Sequence, residues 1–163
     1  MKKILLLLAA LCFIKLSYSQ NLSGSNNIVS NPILINYDRG LSTELNYQGK
    51  YGLALGGIIG KNLGHKSNPN YSCAMYTDLI LSDSLIFGPR LKLNWNYVGF
   101  FGVSLNFANN YRSGQNDFRI TPEINFSLYG LANVFAGYSF VMTKTQFTDL
   151  SIYRIGINLN ILQ

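Results

Sequence analysis

Apolar and polar residues alternate with a period of two along most of this chain. From Asp117 to Tyr129, the residues Phe118, Ile120, Pro122, Ile124, Phe126 and Leu128 fall on one side. Arg119, Thr121, Glu123, Asn125 and Ser127 fall on the other. Side chains of an extended strand point alternately to opposite faces, so the pattern predicts a strand between two unlike environments. Leu85 to Tyr97 repeats it. Leu85, Phe87, Pro89, Leu91, Leu93, Trp95 and Tyr97 oppose Gly88, Arg90, Lys92, Asn94 and Asn96, with Ile86 the exception. Near the C-terminus, Tyr153, Ile155, Ile157, Leu159 and Ile161 oppose Arg154, Gly156, Asn158 and Asn160.

Further strands are softer. Leu41, Thr43, Leu45 and Tyr47 oppose Ser42, Glu44, Asn46 and Gln48, and the parity extends back through Ile33, Ile35 and Tyr37. That first strand is therefore long, or interrupted near Arg39-Gly40. Tyr51, Leu53, Leu55 and Ile59 oppose Gly52, Ala54, Gly56 and Gly60. Tyr71 to Leu81 alternates weakly. Gly99, Phe101, Val103, Leu105 and Phe107 oppose Gly102, Ser104 and Asn106, and Ala132, Val134, Ala136, Tyr138 and Phe140 oppose Asn133, Gly137 and Ser139. The total is about eight strands of ~9–13 residues, the length a tilted strand needs to cross a bilayer. Turns are expected at Gln48-Gly49-Lys50, Ser82-Asp83-Ser84, Asn96-Tyr97-Val98 and Gly130, with longer polar connections at 62–70, 109–116 and 143–149. Pro89 and Pro122 lack a ladder donor, which predicts bulges or strand ends there.

The N-terminus is different. Met1-Lys2-Lys3 leads into an apolar run from Ile4 to Ile14, followed by Lys15 and the small residues Ser17 and Ser19. A basic start, a short apolar run and small residues at the exit predict a secretory signal over 1–19. The run is shorter than the ~20 apolar residues a membrane helix needs. Residues 20–32 form an N-terminal segment and 33–163 the barrel. Loss of Lys2, Lys3 and Lys15 lowers the formal net charge from +6 to +3. That removes the main support for a nucleic-acid partner, which requires a dense basic patch. Cys73 becomes the only mature cysteine, so no intrachain disulfide forms.

Composition decides between two opposite placements of the faces. Charged residues make up 12% of the chain, about half the soluble norm of ~25%, while the apolar share of 48% is ordinary. A soluble barrel puts its apolar face inward and needs a charged exterior. Here the polar faces carry Asn, Ser, Thr and Gly. Glycines 52, 56, 60, 102, 137 and 156 lie on those faces, where about eight strands leave little room. Aromatics gather near strand ends (Tyr47, Tyr51, Tyr71, Trp95, Tyr97, Tyr111, Tyr129, Tyr153), as in membrane girdles. The expectation is a closed, antiparallel, up-and-down transmembrane β-barrel with apolar residues toward lipid. Outer-membrane lipid and the barrel-assembly machinery are its expected partners, with an undefined surface ligand possible in addition.

The signal, the strands around Gly88-Pro89-Arg90 and Thr121-Pro122-Glu123, the Gly137-Tyr138 strand and the strand ending at Gln163 resemble a group of small bacterial outer-membrane β-barrel proteins. The architecture is similar to the OmpA/OmpX-like barrels, over roughly residues 33–163. The resemblance implies a cell outer-membrane location and a structural, surface-interaction or porin-like role. Such barrels usually end on an aromatic residue, and Ile161-Leu162-Gln163 does not.

The polar faces carry Glu44, Arg90, Lys92, Arg119, Glu123 and Arg154. Inside a narrow lumen these predict a charge network that fills the barrel, since unpaired buried charge is costly. The competing role is a selectivity filter or proton path. Glu123 is expected to contact Arg90 or Arg154. His65-Lys66-Ser67-Asn68 resembles the His-x-Ser-Asn stretch of outer-membrane lipid A deacylases, which implies His65 as base and Ser67 as nucleophile. It lies on an early connection, not a late strand, and lacks a nearby Glu. No catalytic site, cofactor or metal site is otherwise expected, and a soluble periplasmic ligand-binding barrel is the third alternative.

Overall fold

The computed structural model describes residues 37–63, 69–97, 100–129, 131–144 and 147–162. All regular elements among them are strands: β1 (Asp38–Tyr47), β2 (Tyr51–Lys61), β3 (Asn70–Ile80), β4 (Ile86–Tyr97), β5 (Phe101–Arg112), β6 (Gln115–Leu128), β7 (Ala132–Tyr138), β8 (Phe140–Val141) and β9 (Tyr153–Leu162). β7 and β8 are one strand, since both keep the same register on β6 on either side of Ser139. Eight antiparallel strands therefore follow in chain order, and β9 pairs with β1 to close the ring. The proposed signal, residues 20–36, His65, Ser67, Val98, Gly99, Gly130 and Gln163 lie outside the described residues.

The stagger of the ring fixes its bore. From Tyr47 the register passes through Ile155, Ala136, Ile124, Val103, Trp95 and Tyr71 to Lys61. Asp38 pairs with Gly60, so Lys61 stands level with Tyr37, and the circuit closes ten residues back along β1. With strand spacing of ~4.8 Å and rise of ~3.3 Å, eight strands and that stagger give a tilt of about 41° and a backbone radius of about 8 Å. Side chains fill a bore of that size.

The faces are inverted relative to a water-soluble protein. Most large apolar residues of the strands point outward and are exposed, Leu41, Leu45, Ile124, Ile155 and Ile157 among them. The inward positions are buried and mostly polar: serines, asparagines, a threonine and eight ionisable side chains. Aromatic pairs mark both ends of the outward band. Tyr71 stacks on Trp95 and Phe101 meets Phe126 edge-on near the end where β1 begins. Tyr47–Tyr51, Tyr138–Tyr153 and Phe87–Tyr111 lie near the far end. Ten residues of β1 at that tilt span about 25 Å of barrel height.

Several local expectations change. β1 runs unbroken through Arg39-Gly40. Asn96 and Tyr97 belong to β4, not to a turn. Segment 109–116 is not a loop: β5 and β6 pair through Asn109↔Phe118 and Asn110↔Asp117 to Arg112↔Gln115. Only Ser113 and Gly114 turn, with φ of 48° and 79°, the doubly left-handed conformation that suits a two-residue hairpin. The prolines sit inside strands without bulges. The β4–β5 ladder skips Gly88 and Pro89 and resumes in the same register, and Pro122 lies opposite the β7–β8 break. A strand residue donates toward one neighbour only, so each proline interrupts one ladder and leaves the other intact, at Thr77↔Pro89 and Leu105↔Pro122.

Candidate functional site

The lumen is built in three layers, and the middle one holds most of the charge. Alternation turns Glu44 (β1), Asp78 (β3), Arg90 and Lys92 (β4), Asn106 (β5), Glu123 (β6) and Arg154 (β9) inward, and the stagger brings them to mid-height. Arg90 grips Glu44 with two nitrogens at 2.8 and 3.2 Å, and its Nε donates to Asp78 at 2.8 and 3.2 Å. Its Nη1 also donates to Asn106 at 2.9 Å. Lys92 Nζ lies 3.0 Å from Glu123 and 3.4 Å from Glu44. Arg154 donates to both Glu44 and Glu123. Three carboxylates face three cations, so the cluster is neutral. Buried ions of this kind need such pairing to offset their lost hydration.

Phe135 lies beside the cluster on the same inward face. The Lys92 ammonium sits 4.2 Å from its ring centroid and the Arg154 guanidinium 4.9 Å. The opposite wall repeats the arrangement, with the Arg90 guanidinium 4.3 Å from the Tyr76 ring. Cations over ring faces retain electrostatic stabilisation that the carboxylates alone do not supply. Phe135 also covers Gly156, its β9 partner, where a Cβ would meet the Phe135 ring at 2.6 Å.

The layer toward the chain termini is amide-rich. Asn158 donates to the Ser42 hydroxyl at 2.8 Å and the Tyr76 hydroxyl at 2.9 Å. Asn96 donates to Asn70 at 2.7 Å, Asn125 to Asn94 at 2.9 Å and Asn133 to Asn158 at 2.9 Å. A cavity of about 10 Å³ between these groups holds at most one water.

The third layer closes the far end. Phe147 and Leu150, from the connection between β8 and β9, are buried against Ile80 and Ile86. Ile86 thus breaks the alternation of β4 because it meets this apolar stopper. Arg119 does not join the mid-height cluster, contrary to the sequence expectation. It lies one step nearer the far end and pairs with Asp117 at 2.8 Å. Its guanidinium donates to the carbonyls of Phe147, Leu150 and Ser151, at 2.8 Å for Ser151. Asp117 accepts the Phe147 N–H at 2.9 Å. The pair thus fastens the polar connection between β8 and β9 to the barrel.

Above that pair, Arg112 donates to Asp149 at 2.7 Å and lies 4.4 Å from the Phe147 ring. Partial burial pushes the Asp149 carboxyl up. Hydrogen bonds from the Ser82 hydroxyl and Arg112 outweigh it and hold the group below the usual carboxylate range.

Of the six residues singled out in sequence, Glu44, Arg90, Lys92, Glu123 and Arg154 come together, and Arg119 stands apart. Asp78, Asn106, Phe135 and Asp117 were missed. Strict alternation on β3 would have found Asp78; Phe135 is apolar on a polar face and gives no sequence signal. No group of His, Cys, Asp and Glu suited to a metal occurs among the described residues. Asp78 pairs with Arg90 at 2.8 Å, and the exposed Asp83, between β3 and β4 at the far end, lies 3.7 Å from Lys50. No family model, curated protein or solved structure matches the chain.

Proposed function

We propose that this chain is a small outer-membrane β-barrel, exported by its N-terminal signal. Its role is structural or surface-interacting in the cell envelope, with outer-membrane lipid and the barrel-assembly machinery as partners. The carrying observation is the inverted polarity: exposed apolar residues on every strand around a lumen of buried, paired charges. An apolar band of about 25 Å flanked by aromatic girdles matches the hydrocarbon thickness such barrels cross. A soluble ligand-binding barrel would need the opposite arrangement, an apolar interior and a charged exterior. The filled bore and the far-end stopper favour the structural reading over a porin-like one, since neither leaves a water-filled path. A lipid A hydrolase would require His65 and Ser67, which lie outside the described residues.

Membrane fractionation with a heat-modifiability gel tests the proposal. A folded outer-membrane barrel sediments with membranes and changes mobility on boiling. Recovery in the soluble periplasmic fraction, without a mobility shift, overturns it.

A further inference from the structure

Charge on the outward wall is confined to one place. Twelve of the described strand residues are charged, and ten of them stand at inward positions. The two that turn outward are Arg39 on β1 and Lys61 on β2, both exposed. They are diagonal neighbours, since Arg39 pairs with Ile59, two residues before Lys61 on the same face. Such positions lie about 7–8 Å apart, within reach of two long side chains. All seven Asp and Glu of the chain are among the described residues, and none pairs with either cation. Asp38, next to Arg39 in sequence, takes the inward parity and accepts the Leu63 N–H at 2.8 Å.

The two cations lie at the end where β1 begins, just past the aromatic girdle. Lys61 pairs with Tyr71, and Tyr71 pairs with Trp95 and stacks on its ring. At the tilt of this barrel each of those steps moves about 3 Å along the axis, so Lys61 stands about 6 Å beyond Trp95. Indole rings settle at the membrane–water interface, which sets the cations at the level of the headgroups.

We propose that Arg39 and Lys61 together bind the phosphodiester of an anionic phospholipid headgroup. The inference rests on the reading that the outward face meets lipid, and it names which lipid this rim selects. Like charges on neighbouring strands repel, and with no carboxylate side chain beside them the counter-charge comes from outside the chain. Arginine and lysine both form charge-assisted hydrogen bonds to phosphate oxygens. A zwitterionic headgroup would bring a third cation to the pair, so the site favours a headgroup of net negative charge. The other outward strand positions are uncharged, so the preference is local to β1 and β2.

Trp95, the chain's single tryptophan, reports on this rim. The mature protein is refolded into phosphatidylcholine vesicles in which brominated phosphatidylglycerol or brominated phosphatidylcholine replaces part of the lipid, and Trp95 quenching is compared at equal mole fraction. The wild type should enrich phosphatidylglycerol near Trp95 by about fivefold or more. Arg39→Gln combined with Lys61→Gln should remove the enrichment while the heat-modifiable band persists, because both side chains are exposed. Lys50→Gln removes one positive charge at the far end and should keep it. Equal quenching by the two lipids in the wild type, undiminished enrichment in the double variant, or its complete loss in Lys50→Gln overturns the headgroup site alone. A protein that neither lipid quenches and that shows no mobility shift instead overturns the membrane reading beneath it.

Discussion

Glu44→Gln removes one charge from the centre of the lumen and keeps the side chain's size. Glu44 is 1% exposed and accepts hydrogen bonds from Arg90 and Arg154, with Lys92 3.4 Å away. Without it, Asp78 and Glu123 face Arg90, Lys92 and Arg154, and one buried cation lacks a counter-charge. Breaking a buried pair from one side costs about 3–5 kcal/mol. At about 1.4 kcal/mol per decade, the ratio of folded to unfolded protein falls by roughly a hundredfold to a few thousandfold. The structure also names the rescue. Adding Lys92→Met leaves two matched pairs, Arg90 with Asp78 and Arg154 with Glu123, and puts a thioether where the ammonium sat over Phe135. The double variant should recover most of the loss, although Lys92→Met alone also destabilises. Urea titration in vesicles, read by the heat-modifiable fraction and by the fluorescence of Trp95, the chain's single tryptophan, measures all four proteins. A Glu44→Gln protein within 1 kcal/mol of wild type would refute the reasoning. So would a double variant whose cost equals the sum of the singles.

Arg119→Ala strands the buried Asp117 carboxylate and removes the donors to the Phe147, Leu150 and Ser151 carbonyls, so it should cost about 3–5 kcal/mol. Trypsin cleavage at Lys144 should accelerate, and an unchanged rate would separate the pair from the stopper. Asp149 has a depressed pKa, so its contribution is present above the ordinary carboxylate range and lost as pH falls through the lowered value. Acidification should therefore loosen the 142–152 connection, measured by limited proteolysis with an acid-active protease, and Asp149→Asn should abolish that pH dependence. Gly56 and Gly57 are neighbours with opposite fates. A Cβ at Gly56 would overlap the Met75 carbonyl, whereas Gly57 faces open space. Gly56→Ala should lower the urea midpoint by an amount corresponding to about 1–3 kcal/mol, and Gly57→Ala should leave it nearly unchanged.

The period-two pattern was sufficient for strand existence and parity. Each strand separates two environments over its whole length, so β4, β6 and β9 could be read almost residue by residue. Parity also turns Glu44, Arg90, Lys92, Glu123 and Arg154 to one side, because facing is a local property of the backbone. Where a strand serves two environments on one face, the pattern blurs. β3 presents Ala74, Tyr76, Asp78 and Ile80 inward, and that mixture hid Asp78.

Height along the barrel is not local. It depends on the ten-residue stagger, which is a sum over eight pairings between segments far apart in sequence. That sum sets Arg119 above the charge cluster and beside Phe147, and carries Asp78 into it. Turn limits were equally out of reach at 109–116, where polar residues continue a ladder that only partner strands sustain. Alternation determined that this chain has two faces of opposite character. The scarcity of charge pointed the polar face inward, and closure of the ring is what buries it, because the inner surface of a narrow barrel is the one that loses contact with its surroundings.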